Sequence, residues 1–393
     1  MIYDSIPYMA RKVLFFTDIH WGIHANSDKY LSICENTMKW ISSLCKERQI
    51  NTVIFGGDYF DSRSTIDVST MQKATESLYM LAENVKNIIM ILGNHDIYLK
   101  DSTNINSLCA YKGHQNIHVA KQPYCIIGGK LLLLPWNDGS QSEILNNLDI
   151  NNIKVVISHH NFPKEFFYAS NKIKKSKDSD TSTLESNPYG IDNIIIDKLS
   201  INHGTFFSGH IHHQKSVPIK DTEIVIAGSP YETEYGFNDI KCGCFIIDVD
   251  TDEYEFIENP YNIKHVEVYT SKFDNFDFNL ITNAFVRLRV DTNDNNSQKS
   301  IYQNKIIEYK PYAIDNAIFE FECASFIGQR NLTDNPLDVI GTTVMSKMDY
   351  MNKLIDDTDF TSFIYRDKDG NQYSVDKTVV KSLAEHYFNG IQQ

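Results

Sequence analysis

The chain has 393 residues, 42% of them hydrophobic, which is enough for one large domain with a sizeable core and a smaller one beside it. No apolar run approaches the length of a membrane span, and the opening Met1-Ile2-Tyr3-Asp4-Ser5 lacks the basic region of a secretory signal, so a cytoplasmic protein is expected. The formal net charge of −14 opposes unaided DNA binding.

In chain order, residues 13–16 form a short apolar run that reads as a buried strand, and Asp18 and His20 follow it. At a strand end, positions i and i+2 point to one side, so this pair can chelate one ion. Residues 30–48 carry a helical pattern. Ile54 and Phe55 then run into Gly56-Gly57-Asp58, where two glycines permit a sharp turn and leave space above a sheet edge. A second helical pattern covers 68–84, and residues 88–92 run into Gly93-Asn94-His95-Asp96. Residues 155–157 run into Ser158-His159-His160, and residues 205–207 into Ser208-Gly209-His210-Ile211-His212. Alternation of strand and helix through residue 160 predicts βα units.

Taken singly these motifs say little. Asp-x-His is an ordinary loop cap, Gly-Asn-His-Asp an ordinary tight turn, and Gly-His-x-His an ordinary exposed loop. Five of them in order, each at the carboxyl end of a strand-like run, is not a chance scatter. Ligands of open α/β sheets bind beyond those ends. Among their residues Asp18, Asp58, one Asn and several His are suited to two divalent metals side by side, the usual apparatus for splitting a phosphate ester with water. His160 reads as a neighbour or phosphate contact rather than a ligand. His24, His114, His118, His203 and His213 read as surface or supporting histidines.

These motifs resemble those of the calcineurin-like metallophosphoesterases. Within that family they resemble the SbcD-type nuclease subunits, those of T-even-like bacteriophages included, which work with an SMC-like coiled-coil ATPase in DNA end processing. The narrower match rests on Gly57-Asp58-Tyr59-Phe60-Asp61-Ser62-Arg63, Leu134-Pro135-Trp136, Ser208-Gly209-His210-Ile211-His212 and Gly228-Ser229-Pro230-Tyr231. It spans roughly residues 12–260; the remainder matches only in size, order and a terminal helical segment. The resemblance implies an α/β (α+β) sandwich, the four-layer metallophosphoesterase fold, with a small α+β capping domain and a C-terminal helical segment.

By the same resemblance Asp18, His20, Asp58 and His212 hold one metal, with Asp58 bridging, and Asn94, His159 and His210 with Asp58 hold the second. His95 is not a ligand; it faces the phosphate, stabilising charge or protonating the leaving oxygen. Asp96 is expected to orient His95 by accepting its other ring proton. Several SbcD-type nucleases carry His where this chain has Asp61, so a supporting or turn-capping role is as good a reading for Asp61 as a phosphate contact. Imidazole, carboxylate and amide donors without thiolate suit manganese or iron, and zinc is compatible with them. Two divalent ions, Mn2+ first among the candidates, are therefore expected, with in-line attack of water on a phosphodiester as the reaction.

Seven scattered cysteines suggest free thiols in a reducing setting; Cys242 and Cys244 share a face of one strand-like run and form no zinc knuckle. Residues 168–190 read as a polar surface insertion, and its Lys172, Lys174, Lys175 and Lys177 as a solvated loop in preference to a DNA contact. Glu258-Asn259-Pro260 marks a boundary. The expected division is a nuclease domain at 1–260, a capping, DNA-placing domain at 261–345 with short strands at 266–269 and 284–290, and a helical ATPase-docking segment at 346–393. In the last, two weak helical segments flank a polar turn at Asp367-Lys368-Asp369-Gly370. The final segment, 376–388, carries Val379, Val380, Leu383, Ala384, Tyr387 and Phe388 at helical spacing, which fits either a core face or a docking face.

The expected partners are DNA and an SbcC-type ATPase, with a homodimer inside a heterotetramer. The alternatives are another phosphodiesterase or phosphatase of the same fold, or a scaffold that only recruits the ATPase. Protein phosphatases of the fold carry Arg-Gly after the second Asp and Glu after Gly-Asn-His. Here Ser62-Arg63-Ser64 and Asp96 stand in those places, and every ligand position is filled, which weighs against both alternatives.

Overall fold

A computed structural model describes residues 11–99, 102–136, 151–160, 204–219, 222–236, 240–291, 296–315, 318–320, 364–366 and 372–374. Two six-stranded sheets dominate. In the first, the order is β14 (Glu253–Glu258), β13 (Gly243–Asp248), β1 (Lys12–Phe16), β2 (Thr52–Phe55), β3 (Asn87–Ile91) and β6 (Ile117–Ala120). In the second it is β11 (Lys215–Ile219), β12 (Thr222–Ile226), β10 (Thr205–Ser208), β9 (Val155–Ser158), β8 (Leu131–Leu134) and β7 (Tyr124–Ile126). The centres are parallel: β1 with β2, β2 with β3, and β3 with β6 in one, β8 with β9, β9 with β10, and β10 with β12 in the other. Antiparallel strands close the edges at β14, β11 and β7.

The pleat sorts the side chains of each strand into two layers. From β1, Val13 and Phe15 join Ile54, Ile89, Ile91, Leu133, Ile157, Phe207 and Phe245 in the core between the sheets. Phe15 meets Phe207 edge-on with centroids 5.8 Å apart, and Phe207 meets Phe245 at 5.4 Å. Leu14 and Phe16 face the other way, into a core capped by two helices. These are α2 (Asp28–Glu47) and α3 (Val68–Asn84), following a short turn, α1 (Ile23–Asn26). Helix α2 buries Leu31, Cys34, Met38, Ile41 and Cys45, one stripe at helical spacing. The side chain of Asp67 caps α3 by accepting from the Ser69 N–H. Each fully buried Phe or Leu contributes about 1.5–3 kcal/mol. The outer face of the second sheet, Leu132, Val156, Phe206 and Ile224, is buried too. The described layers therefore number three, and residues 161–203 lie outside the described residues.

The strand–helix alternation expected through residue 160 stops after β3. There the chain makes β4 (Ile97–Leu99) and β5 (Ser102–Asn106), an antiparallel pair, and reaches β8 through strands and a short helical turn. A smaller sheet follows β14. In it β15 (His265–Tyr269), β16 (Phe285–Asp291) and β17 (Ala313–Ile314) are parallel, with β18 (Ile318–Glu320) on β16. Its own core of Val268, Val286, Leu288 and Val290 includes Ile306 from α4 (Asn296–Glu308). Phe285 and Ala313 belong instead to the helix-capped core. At the expected boundary, buried Asn259 donates to the Pro230 carbonyl at 2.8 Å.

The chain divides into compact units at 1–319 and 320–393. In the second, the flanks of Asp367–Gly370 are strands rather than helices: β19 (Ile364–Arg366) pairs antiparallel with β20 (Gln372–Ser374). Asp-Gly between two such runs favours a hairpin. Residues 376–388 and the lysines at 172–177 lie outside the described residues.

Candidate metal centre

All five motifs follow the carboxyl ends of adjacent parallel strands: β1, β2 and β3 of the first sheet, β9 and β10 of the second. The backbone is bent hard there. Asp18, His20, Asp58 and His210 have φ of 55°, 46°, 58° and 79°, a left-handed region that non-glycine residues seldom occupy. Such conformations persist at functional sites when the surroundings impose them. Here the Asp18 N–H donates to the Gly57 carbonyl at 3.0 Å and the His20 N–H to the Asp58 carbonyl at 3.1 Å. The His210 N–H donates to both oxygens of Asp18 at 3.1 Å, tying the second sheet to the first. Gly93 is the one residue its position admits: a Cβ there would fall 2.2 Å from Asp58 Oδ1.

Three donor groups result among the described residues. Asp18, His20 and His212 form one, Asp58, His159 and His210 another, and His20 with Asp61 and His95 a third beside them. His212 Nε2 lies 3.0 Å from His20 Nε2 and 3.8 Å from Asp18 Oδ1. Asp58 Oδ2 stands between the first two, 3.2 Å from His159 Nε2 and 3.6 Å from His20 Nε2. Asn94 Oδ1 is 3.1 Å from His159 Nε2 and 2.8 Å from His210 Nδ1. All seven expected ligand side chains thus meet in one place.

The donor chemistry fits cations. His159 Nδ1 donates to the Gly56 carbonyl at 2.7 Å, so once the ring gives up its second proton Nε2 offers a lone pair beside a carboxylate oxygen and an amide oxygen. Acceptors that converge in this way need a positive charge among them. Burial opposes charge on His20, yet Asp18, Asp61 and Asp58 push it up to about 10. Burial likewise opposes charge on His159, and Asp58 and Asp18 push it up to about 9. Burial would raise the Asp58 carboxyl, but His159, His20 and His95 hold it far below the usual range. His210 goes the other way, down to about 4, through burial and the neighbouring His159. The pocket therefore draws positive charge to itself, and the residues present suit divalent ions.

His95 stands beside the first two groups. Its N–H donates to Asp58 Oδ1 at 2.7 Å, and its ring meets that of His20 edge-on at 5.0 Å. Its Nδ1 donates to the main-chain carbonyl of Asp61. The expected pairing with Asp96 is corrected here. Asp96 Oδ2 accepts the N–H groups of Asp58 and Gly93, both at 2.8 Å, and Oδ1 accepts that of Tyr59 at 2.9 Å. Asp96 holds the two ligand loops together and leaves His95 to Asp61. Burial, then the nearby Asp58, raises the Asp96 carboxyl to about 7. Asp61 also sets a carboxylate oxygen 3.4 Å from His20 Nδ1.

Sequence reasoning gave no role to several other groups. Trp136, which follows β8, stacks on His160 with centroids 6.2 Å apart and planes at 17°, and approaches His210 at 5.2 Å. Thr17 Oγ1 donates to Asp18 Oδ2 at 2.8 Å. Thr233 and His24 meet beside His212. One signal could have found Trp136 and the segment holding Thr233: each follows a parallel strand, β8 or β12.

The sequence profile described as calcineurin-like phosphoesterase matches residues 11–214, just over half of the chain. Exonuclease subunit 1 of Enterobacteria phage T4 is 25% identical over 292 residues, covering 73% of this chain and 79% of that one. Among solved structures, a dimetal phosphatase from Danio rerio aligns at 10% identity over 60% of this chain and 91% of its own, with a TM-score of 0.35. A purple acid phosphatase from yellow lupin aligns at 14% identity over 62% of this chain and 52% of its own, with a TM-score of 0.37. With its profile match, its sheet sandwich and seven donor side chains gathered at the strand ends, the chain belongs to the calcineurin-like phosphoesterase family and is a metal-dependent phosphoesterase.

Proposed function

We propose that the chain is a DNA nuclease subunit that hydrolyses phosphodiester bonds with two manganese ions during DNA end processing and recombination. The observation that carries this reading is the pair of donor clusters with Asp58 Oδ2 standing between them, in a chain related to a phage exonuclease subunit. Asp18, His20 and His212 with Asp58 hold one ion; Asn94, His159 and His210 with Asp58 hold the other. Two such ions lower the pKa of water and offset the charge that builds on a phosphoryl centre.

The side chains do the rest. The Gly56 carbonyl fixes the His159 tautomer so that Nε2 points inward. The Asp61 carbonyl holds Nδ1 of His95, which leaves the opposite ring nitrogen for a phosphate oxygen or the leaving oxygen. DNA affinity comes largely from a partner, because a chain of net charge −14 releases few counterions from the duplex. That partner is an SMC-like coiled-coil ATPase docked by the segment at 346–393, in an assembly built on a homodimer within the cytoplasm of the host cell.

Cleavage of linear duplex and single-stranded DNA, with Mn2+, Mg2+ or chelator, tests the reading. Metal-dependent cleavage that Asp58→Asn reduces to background is expected. A chain that splits small phosphodiesters under the same conditions but never DNA, with or without the ATPase, would favour the small-molecule phosphodiesterase instead.

A further inference from the structure

Thr233 lies on the segment that follows β12, and it is buried. Its Oγ1 stands 3.2 Å from Nδ1 of His212, while its carbonyl accepts from His24 Nε2 at 2.7 Å. The ring of His24 in turn lies against Tyr30, with centroids 4.2 Å apart. The preceding residue is held from another side. The Glu232 N–H donates to Asn262 Oδ1 at 2.8 Å, and its carboxylate accepts Asn262 Nδ2 at 3.1 Å and the main-chain N–H of His265 at 2.7 Å. His265 opens β15, the first strand of the small sheet. Residues 232 and 233 are thus gripped by α1 on one side and by the small sheet on the other.

His212 presents Nε2 to Asp18 and His20, at 3.8 Å and 3.0 Å. A neutral imidazole offers a lone pair at Nε2 only when its proton sits on Nδ1, and that proton needs an acceptor. Among the described residues, Thr233 Oγ1 is the hydrogen-bond partner of that Nδ1.

We propose that Thr233 is a positioning residue for His212: its hydroxyl accepts the Nδ1 proton, fixes the tautomer and aims Nε2 at the ion held with Asp18 and His20. The inference rests on the two-ion reading above. It also gives the small sheet a physical hold on the metal centre, through Glu232 and Thr233.

The test compares Thr233→Val, which keeps the shape and loses the acceptor, with Thr233→Ser, which keeps the acceptor. Calorimetric titration of the full chain with MnCl2 and nitrogen-15 NMR of the His212 ring in the metal-free chain are the readouts. Val is expected to weaken one of two Mn2+ sites about 10-fold, the low end for losing a histidine's outer partner. It should also move the His212 ring toward the Nε2-protonated tautomer, while Ser keeps both readings at the wild-type values. A Val variant with wild-type affinity and tautomer would overturn the proposal. So would a Ser variant that loses affinity as Val does, because the hydroxyl would then not be the cause. A wild-type chain that takes up fewer than two Mn2+ would overturn the two-ion reading instead.

Discussion

Asp96 turns its carboxylate away from His95 and onto the main chain of Asp58, whose N–H it receives at 2.8 Å. With the Gly93 and Tyr59 N–H groups as well, one carboxylate satisfies three buried donors in two loops. An Asn side chain has a single acceptor oxygen and would set its NH2 against one of those donors. Asp96→Asn should therefore cost about 1–3 kcal/mol of stability, the penalty of a buried donor left unmet. Melting temperature and Mn2+ content should fall together. A variant with normal melting and normal metal content but slow turnover would return Asp96 to the role of orienting His95.

His95 is held by the Asp61 carbonyl and groups with His20 and Asp61, apart from the two donor clusters that flank Asp58. His95→Gln and His95→Ala should keep two Mn2+ per chain and lose about 10²–10⁴-fold in turnover, the worth of an acid–base group. Metal analysis and single-turnover cleavage on the same preparation separate the effects. Metal content that drops in step with activity would make His95 a ligand.

Metal uptake should be proton-linked. His20 and His159, pushed up to about 10 and about 9, carry protons at neutral pH when the pocket is metal-free. Ligand nitrogens must give those protons up to bind an ion. Raised values therefore mean that apparent Mn2+ affinity climbs as pH rises from 6.5 toward about 9. Titrations in buffers of different ionisation enthalpy should register protons released on binding. An affinity that is flat across this range, with no proton release, would contradict the electrostatics described.

Asp252 lies in the turn between β13 and β14, and its Oδ1 accepts the Thr205 N–H at 3.2 Å. Burial raises its carboxyl to about 6 from the ordinary 3.8. The folded state thus disfavours the charged form. The penalty is absent below the ordinary value, grows between the two values and is complete above about 6. Asn keeps the acceptor and tolerates the φ of 64°. Asp252→Asn should then be more stable than wild type by about 1 kcal/mol at neutral pH, after allowance for partial exposure, and equal to it in acid. Urea unfolding in both conditions checks this; a less stable variant at neutral pH would mean that the Thr205 bond needs the charge.

The site was legible in the sequence where residue type and strand end coincide. Asp18, His20, Asp58, Asn94, His159, His210 and His212 all lie where short apolar runs end, and parallel pairing brings those ends to one edge. Helix α3 was legible to the residue, because the helical pattern over 68–84 is a local signal. What was not legible depends on main-chain groups brought together from afar. The carbonyl that holds His95 belongs to Asp61, and the N–H groups that claim Asp96 belong to residues 37 and 38 positions away as well as to Gly93. No side-chain pattern announces such partners. Thr233 and His24 were hidden for the same reason: their meeting spans 209 residues. The antiparallel strands β19 and β20 were misread as helix, although Asp-Gly between two such runs favours strand pairing.

The central claim is that two cations share Asp58. Anomalous diffraction at the manganese edge from crystals of the Mn2+-loaded chain tests it most directly. Two peaks about 3.5–4 Å apart are predicted, one beside Asp18, His20 and His212, the other beside Asn94, His159 and His210, with Asp58 touching both. A single peak, or two peaks that do not share Asp58, would contradict the account.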